Sequence, residues 1–162
     1  MIPEINKILY VTDLSENSRH AFAYAASIAN RYGAGVTVLH VMEEIPTQVS
    51  MQIEFYLGDD DWYKIRNGNK QELIDTIKSR LNKFCEEASN ELTECPFITD
   101  ETVVEQGFPS NVILDYARKG NFDLIVMGTH GHSAFVDAMM GGTTRRVLRL
   151  SRIPVLAVRL PE

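Results

Sequence analysis

At 162 residues, with 44% hydrophobic and 23% charged residues, the chain suits one soluble domain with a sizeable core. A net charge of −6 provides no general basic face, which excludes broad affinity for nucleic acid but leaves room for a local anion pocket. No stretch approaches the ~18 apolar residues of a membrane span, the opening "MIPEINKILYVTD" lacks the make-up of a signal peptide, and Cys85 and Cys95 form no Cys-x-x-Cys pair. Together these features predict reduced thiols in a cytoplasmic protein that associates with neither membrane nor nucleic acid.

In chain order, "KILYVT" (Lys7 to Thr12) is a short apolar run with β-branched and aromatic residues, as expected of a strand covered on both faces. Ser15 is placed to cap a helix that runs to about Tyr32, with Ala21, Ala25, Ile28 and Tyr32 on one face and Gly33 as a left-handed stop. "GVTVLHVM" reads as the second strand. An irregular excursion follows at about residues 43–70, a surface insertion in which Asp59, Asp60 and Asp61 read as solvated rather than as a cation site. From Lys70 a helical stripe runs through Leu73, Ile77, Leu81, Phe84, Ala88 and Leu92, with Cys85 beside it as a packed thiol. "DETVVEQG" is the third strand. A helix then starts near Pro109 and ends at Gly120. "FDLIVMG" and "IPVLAVRL" complete the strands, with a helix of about ten residues between them.

Strands alternating with helices predict an α/β fold: an open five-stranded parallel sheet with helices on both faces, one domain across residues 1–162. Such sheets bind ligands outside the carboxyl ends of their strands, which draws attention to Asp13, the end of "LHVM" and Gly128. After Gly128 the chain reads "THGHSAFVDAMMGGTTRR". Glycines there allow close backbone approach, and a helix starting near Gly142 would aim free N–H groups and a positive dipole end outward. Thr143 and Thr144 have hydroxyls able either to cap that helix or to meet phosphate. Arg145 and Arg146 add positive charge in its first turn, where an anion would offset it.

Gly128-x-x-Gly131, nine residues, then Gly141 resembles the Gly-x2-Gly-x9-Gly-Ser/Thr nucleotide signature of the universal stress protein family. "KILYVTDLSENSRHAFAYAASIA", with the motif aspartate at Asp13, "VTVLHV", "FDLIVMGTHG" and "RIPVLAVR" are similar to that family's segments in the same order. The resemblance covers nearly the whole chain apart from residues 43 to 70. It implies a Rossmann-like fold and a stress-responsive regulatory or signalling homodimer paired through the last strand, about Pro154 to Arg159. By likeness to the ATP-binding branch, Val11, Thr12, Asp13 and Val41 would flank adenosine. Met127, Gly128, Thr129, His130, Gly131, His132 and Ser133, with Gly141, Gly142, Thr143 and Thr144, would hold ribose and phosphates, with Mg or Mn carried by the phosphates. One position departs: Gly142 stands where the family has Ser or Thr.

Three rivals stay open from the residues alone. His130, His132, His40 and Asp13 have the donor types for a divalent metal, although His-x-His in a glycine loop fixes no third ligand, and an intrinsic metal site is the weaker reading. Asp13 or His130 as a base would give a slow ATP hydrolase, yet no nucleophile–base–orienter set accompanies them. A structural dimer that binds no nucleotide is the third class.

Overall fold

A computed structural model describes residues 1–43, 70–88, 90–92, 95, 101–129 and 140–159. Five strands form one sheet in the order β3-β2-β1-β4-β5: β1 is Lys7–Thr12, β2 Gly35–Glu43, β3 Thr102–Gly107, β4 Leu124–Gly128 and β5 Val155–Val158. Every neighbouring pair is parallel, so the predicted open parallel sheet is the one observed. The connecting helices are α1 (Glu16–Tyr32), α2 (Lys70–Glu87), α3 (Pro109–Lys119) and α4 (Gly142–Leu150). The excursion, apart from Glu43 at the end of β2 and Lys70 at the start of α2, lies outside the described residues, as does the Asp59–Asp61 run.

β1 occupies the centre, and its side chains alternate between two cores because successive Cβ atoms point to opposite faces. Ile8 and Tyr10 enter the core that α1 and α2 cover, with Ala25, Ile77 and Leu81. Leu9 enters the core with Ile113 of α3 and Val147 of α4. Burial on both faces explains why these strands read as continuous apolar runs rather than as alternating ones.

Local chemistry sets the helix ends. Ser15 caps α1, its Oγ accepting from the Ser18 N–H at 3.3 Å, and Gly33 closes the helix at φ 64°. α3 ends at Gly120 as expected, but without the left-handed turn seen at Gly33. Gly120 keeps a right-handed backbone, and the left-handed residue is Asn121 at φ 51°. Gly120 is required for space instead: a Cβ there would lie 2.3 Å from the Phe122 ring. The helical stripe also extends less far than its periodicity. α2 stops at Glu87, and Ala88 and Leu92 belong to a turn in which the Leu92 N–H donates to the Ala88 carbonyl at 3.1 Å.

The cysteines correct a second expectation. Cys85 and Cys95 are joined as a disulfide rather than standing as separate reduced thiols. The turn after α2 carries the chain back against the helix, bringing the two Cα atoms to 5.7 Å, within the range a disulfide spans.

Candidate functional site

A cavity of about 500 Å³ opens at the carboxyl edge of the sheet, above β1, β2 and β4. β1 lies between β2 and β4, and the connections leave it and β4 in opposite directions, which makes this the position where the sheet parts. Val11, Val41, Met127 and Ile113 form apolar wall, while Thr12, Asp13, His40 and Thr143 supply polar groups. A cavity of this size with an apolar wall and a few convergent polar groups is the usual form of a small-molecule site.

The β1–α1 turn that presents Asp13 is fixed from several directions. Asp13 Oδ1 accepts from the Ser15 N–H at 3.0 Å and from the Ser15 hydroxyl at 2.5 Å. Leu14 takes a left-handed backbone, φ 66°, a conformation disfavoured for a side chain with a Cβ. Its N–H donates to Thr12 Oγ1 at 3.1 Å, and its carbonyl accepts from the Arg80 guanidinium at 2.7 Å. On β2, His40 donates from Nδ1 to the Thr12 carbonyl at 2.9 Å, since a carbonyl can only accept.

The opposite wall is built from two helix starts. α3 begins at Pro109 after Phe108, and α4 begins at Gly142 after Gly141; neither has a side-chain cap, and neither carries an acid in its first turn. The first N–H groups of a helix have no acceptor inside it, so α4 presents donors as well as partial positive charge. α3 contributes mainly its partial positive charge, because Pro109 has no N–H and the Asn111 N–H donates to the Phe108 carbonyl at 3.0 Å. In α4 the first internal bond runs from the Arg145 N–H to the Gly141 carbonyl at 3.0 Å. Gly141 is held by its own N–H, which donates to the Thr129 carbonyl at 2.8 Å, while the Thr129 N–H donates to Val158 of β5 at 3.0 Å.

Most of the anticipated residues converge here. Val11, Thr12, Asp13, Val41, Met127, Gly128 and Gly141 to Thr144 all line the cavity. Thr129 does not; it is buried beneath the wall as a backbone tie. Thr144 lines the cavity, but its hydroxyl donates to the Gly128 carbonyl at 2.8 Å, so it neither caps α4 nor offers that proton outward. His130, Gly131, His132 and Ser133 lie outside the described residues, and with them two of the four suggested metal ligands. Among the described residues no three His, Cys, Asp or Glu side chains cluster as a metal site. Met42, at the end of "LHVM", lines the cavity as well, whereas Ser18, Glu43, Pro109 and Ile113 line it and escape the sequence reading. Pro109 carried a usable signal, because a helix that follows a parallel strand must start at the sheet's carboxyl edge.

The arginines of α4 are placed without a carboxylate in their own turn. Arg145 donates to the Met140 carbonyl at 3.2 Å, and the Arg146 guanidinium lies 5.7 Å from the centre of the Phe108 ring. This stacking joins the starts of α3 and α4 across the lip of the wall.

The model of the universal stress protein family matches residues 4–159. The chain belongs to the universal stress protein family. This universal stress protein is 30% identical over 155 residues to universal stress protein YxiE of Bacillus subtilis, covering 95% of the present chain and 99% of the relative. Its fold matches that of the universal stress protein UspA from Lactobacillus plantarum with a TM-score of 0.74 at 23% identity, covering 98% and 100% of the two chains. It also matches a universal stress protein solved in complex with cAMP, with a TM-score of 0.60 at 19% identity, covering 97% and 98%. Among the described residues, no helix of this universal stress protein is long and apolar enough to cross a membrane.

Proposed function

We propose that this universal stress protein binds ATP in the carboxyl-edge cavity and acts as a stress-responsive regulatory or signalling homodimer. The observation that carries the reading is the convergence on one cavity of two uncapped helix starts, neither with an acid in its first turn. A phosphate chain would accept hydrogen bonds from the free N–H groups of α4 and be favoured by the positive dipole end of α3. Val11, Thr12, Asp13 and Val41 would flank the adenosine, with apolar wall against the base and the Asp13 carboxylate within the polar part. Gly141 to Thr143 would take the phosphates. Among the described residues, no heavy atom outside its immediate neighbours and its own helix backbone lies within 4 Å of where a Cβ on Gly142 would stand, which supports room for a phosphate oxygen beside the backbone. A divalent ion such as Mg would be carried by the phosphates and offset their charge. The relative solved with cAMP supports an adenine nucleotide as the ligand class.

For the dimer, β5 is the strand at one end of the sheet and has Val155, Leu156 and Ala157 only half-buried, an apolar edge able to pair with its copy.

The nucleotide reading is tested by following the melting temperature of nucleotide-stripped protein during titration with ATP and Mg. Saturation to about a hundred times Kd stabilises the folded state by about 2.7 kcal/mol, a rise of roughly 5–10 °C for a domain of this size. An unchanged melting temperature at millimolar ATP overturns the assignment.

A further inference from the structure

The Cys85–Cys95 pair has no part in nucleotide binding, yet its place in the fold gives it a consequence. Cys85 lies on the inner face of α2, 7% exposed, in the same core as Ala25, Leu81 and Tyr10. Cys95 is only partly buried and packs against that core from the chain beyond the helix. Only 10 residues separate the two in sequence, and the rest of the core is built from apolar side chains with no need of a covalent staple.

Two ties run from α2 to its neighbours, one to the turn that carries Asp13 and one to α1. The Arg80 guanidinium donates to the Leu14 carbonyl at 2.7 Å, and Glu87 pairs with Arg19 of α1. Cys85 lies between Arg80 and Glu87 on the same helix, so the staple anchors the segment that braces the left-handed Leu14.

We propose that Cys85 and Cys95 form a reversible dithiol–disulfide site, oxidised by hydroperoxides, whose disulfide state locks α2 against the β1–α1 turn. Cys95 is the sulfur that the oxidant reaches, being the more exposed, and Cys85 resolves it. The Cys95 thiolate attacks one peroxide oxygen; an S–O bond forms, the O–O bond breaks, and the departing alkoxide or hydroxide takes up the thiol proton. Cys85 then attacks the Cys95 sulfenic sulfur. The S–S bond forms, the S–O bond breaks, and hydroxide leaves with the Cys85 proton as water. The two sulfurs lose two electrons together, and the hydroperoxide is reduced to alcohol and water. A dithiol reductant returns both electrons. This inference is independent of nucleotide binding, because none of its steps needs a ligand in the cavity.

The test compares full-length protein treated with dithiothreitol and with hydrogen peroxide, wild type against Cys95→Ser. Oxidised wild type is expected to lose two hydrogens in mass within a single chain and to melt about 5–10 °C higher than the reduced form, as closure of a short loop implies. Amide exchange in α2 and at Leu14 and Ser15 is expected to slow on oxidation. Cys95→Ser should melt with the reduced protein under both treatments. Two free thiols after excess peroxide, Cys95 carried on to sulfinic acid, or a bond between chains would each overturn the proposal. A disulfide that leaves both melting and exchange unchanged would overturn it equally.

Discussion

Gly142 is the residue on which the candidate phosphate wall differs from its family's signature, and its surroundings give a direct prediction. Among the described residues, nothing outside its immediate neighbours and its own helix backbone lies within 4 Å of a Cβ built there, and its backbone carries no positive φ that would strain a side chain. Gly142→Ser therefore restores the hydroxyl without meeting any of the described side chains. A hydrogen bond to a charged oxygen contributes about 1.5–3 kcal/mol, so ATP is expected to bind at least roughly tenfold more tightly to the variant. Calorimetric titration of both proteins measures this; equal or weaker affinity would mean that the phosphate lies elsewhere. Thr144 does not substitute for the missing hydroxyl, since its own proton is committed to Gly128.

At the scale of elements, Tyr10 links the central strand to the first turn of α1. It is fully buried on β1, its ring centroid lies 4.5 Å from that of Phe22, and its hydroxyl donates to the Ser18 carbonyl at 2.9 Å. Burial raises its pKa well above the ordinary value of 10.0. Above that pH the unfolded chain releases the phenolic proton while the native protein keeps it, so the native state binds more protons and stability falls as pH rises. The contribution is intact below pH 10.0 and is lost progressively above it. Wild type is expected to lose about 1.4 kcal/mol more per pH unit than Tyr10→Phe in urea unfolding across this alkaline range. Parallel slopes for the two proteins would show that Tyr10 ionises as readily in the fold as out of it.

Elements are also where the sequence is most legible, for reasons visible in particular residues. Strands buried on both faces need unbroken apolar runs, so "KILYVT" and "GVTVLHVM" stand out, and Ser15 and Gly33 act through local chemistry that needs no tertiary context. What could not be read depends on contacts made across the fold. Leu14 and Asn121 hold left-handed backbones that glycine would have signalled. The apolar period of α2 continues through Leu92 although the helix ends at Glu87, because the following turn packs on the same core. The pairing of Cys85 with Cys95 depends on that turn. The site follows the same division. Asp13, Met42, Gly128 and Gly141 were legible as strand ends and glycines, whereas Glu43 and Ile113 reach the cavity only through the strand order and the packing of α3.

For the whole molecule, the dimer proposal can be tested without disturbing the sheet. The carbonyls of Pro154 and Val158 accept from β4, so by the alternation of a strand the backbone of Ala157 faces the free edge. Ala157→Pro removes an outward N–H and retains the bonds to β4, a substitution that edge strands tolerate. Light scattering at micromolar concentration is expected to give a dimer for wild type and a monomer for the variant. A monomeric wild type, or an unaffected dimer in the variant, would remove β5 from the interface.

The strand order has one more consequence. It leaves the sheet with two unlike borders: β5, short and apolar, and β3, which carries Glu105 and the exposed Gln106 before it stops at Gly107. A sheet with two equally adhesive borders could add copies without limit, as fibrils do. In the dimer proposed above, the apolar border is the one that pairs, and two copies that meet there would consume it in both. Growth beyond that point would have to begin from a border that places charge in the path of an incoming strand. The arrangement of five strands thus limits how large an assembly the chain can build through its sheet.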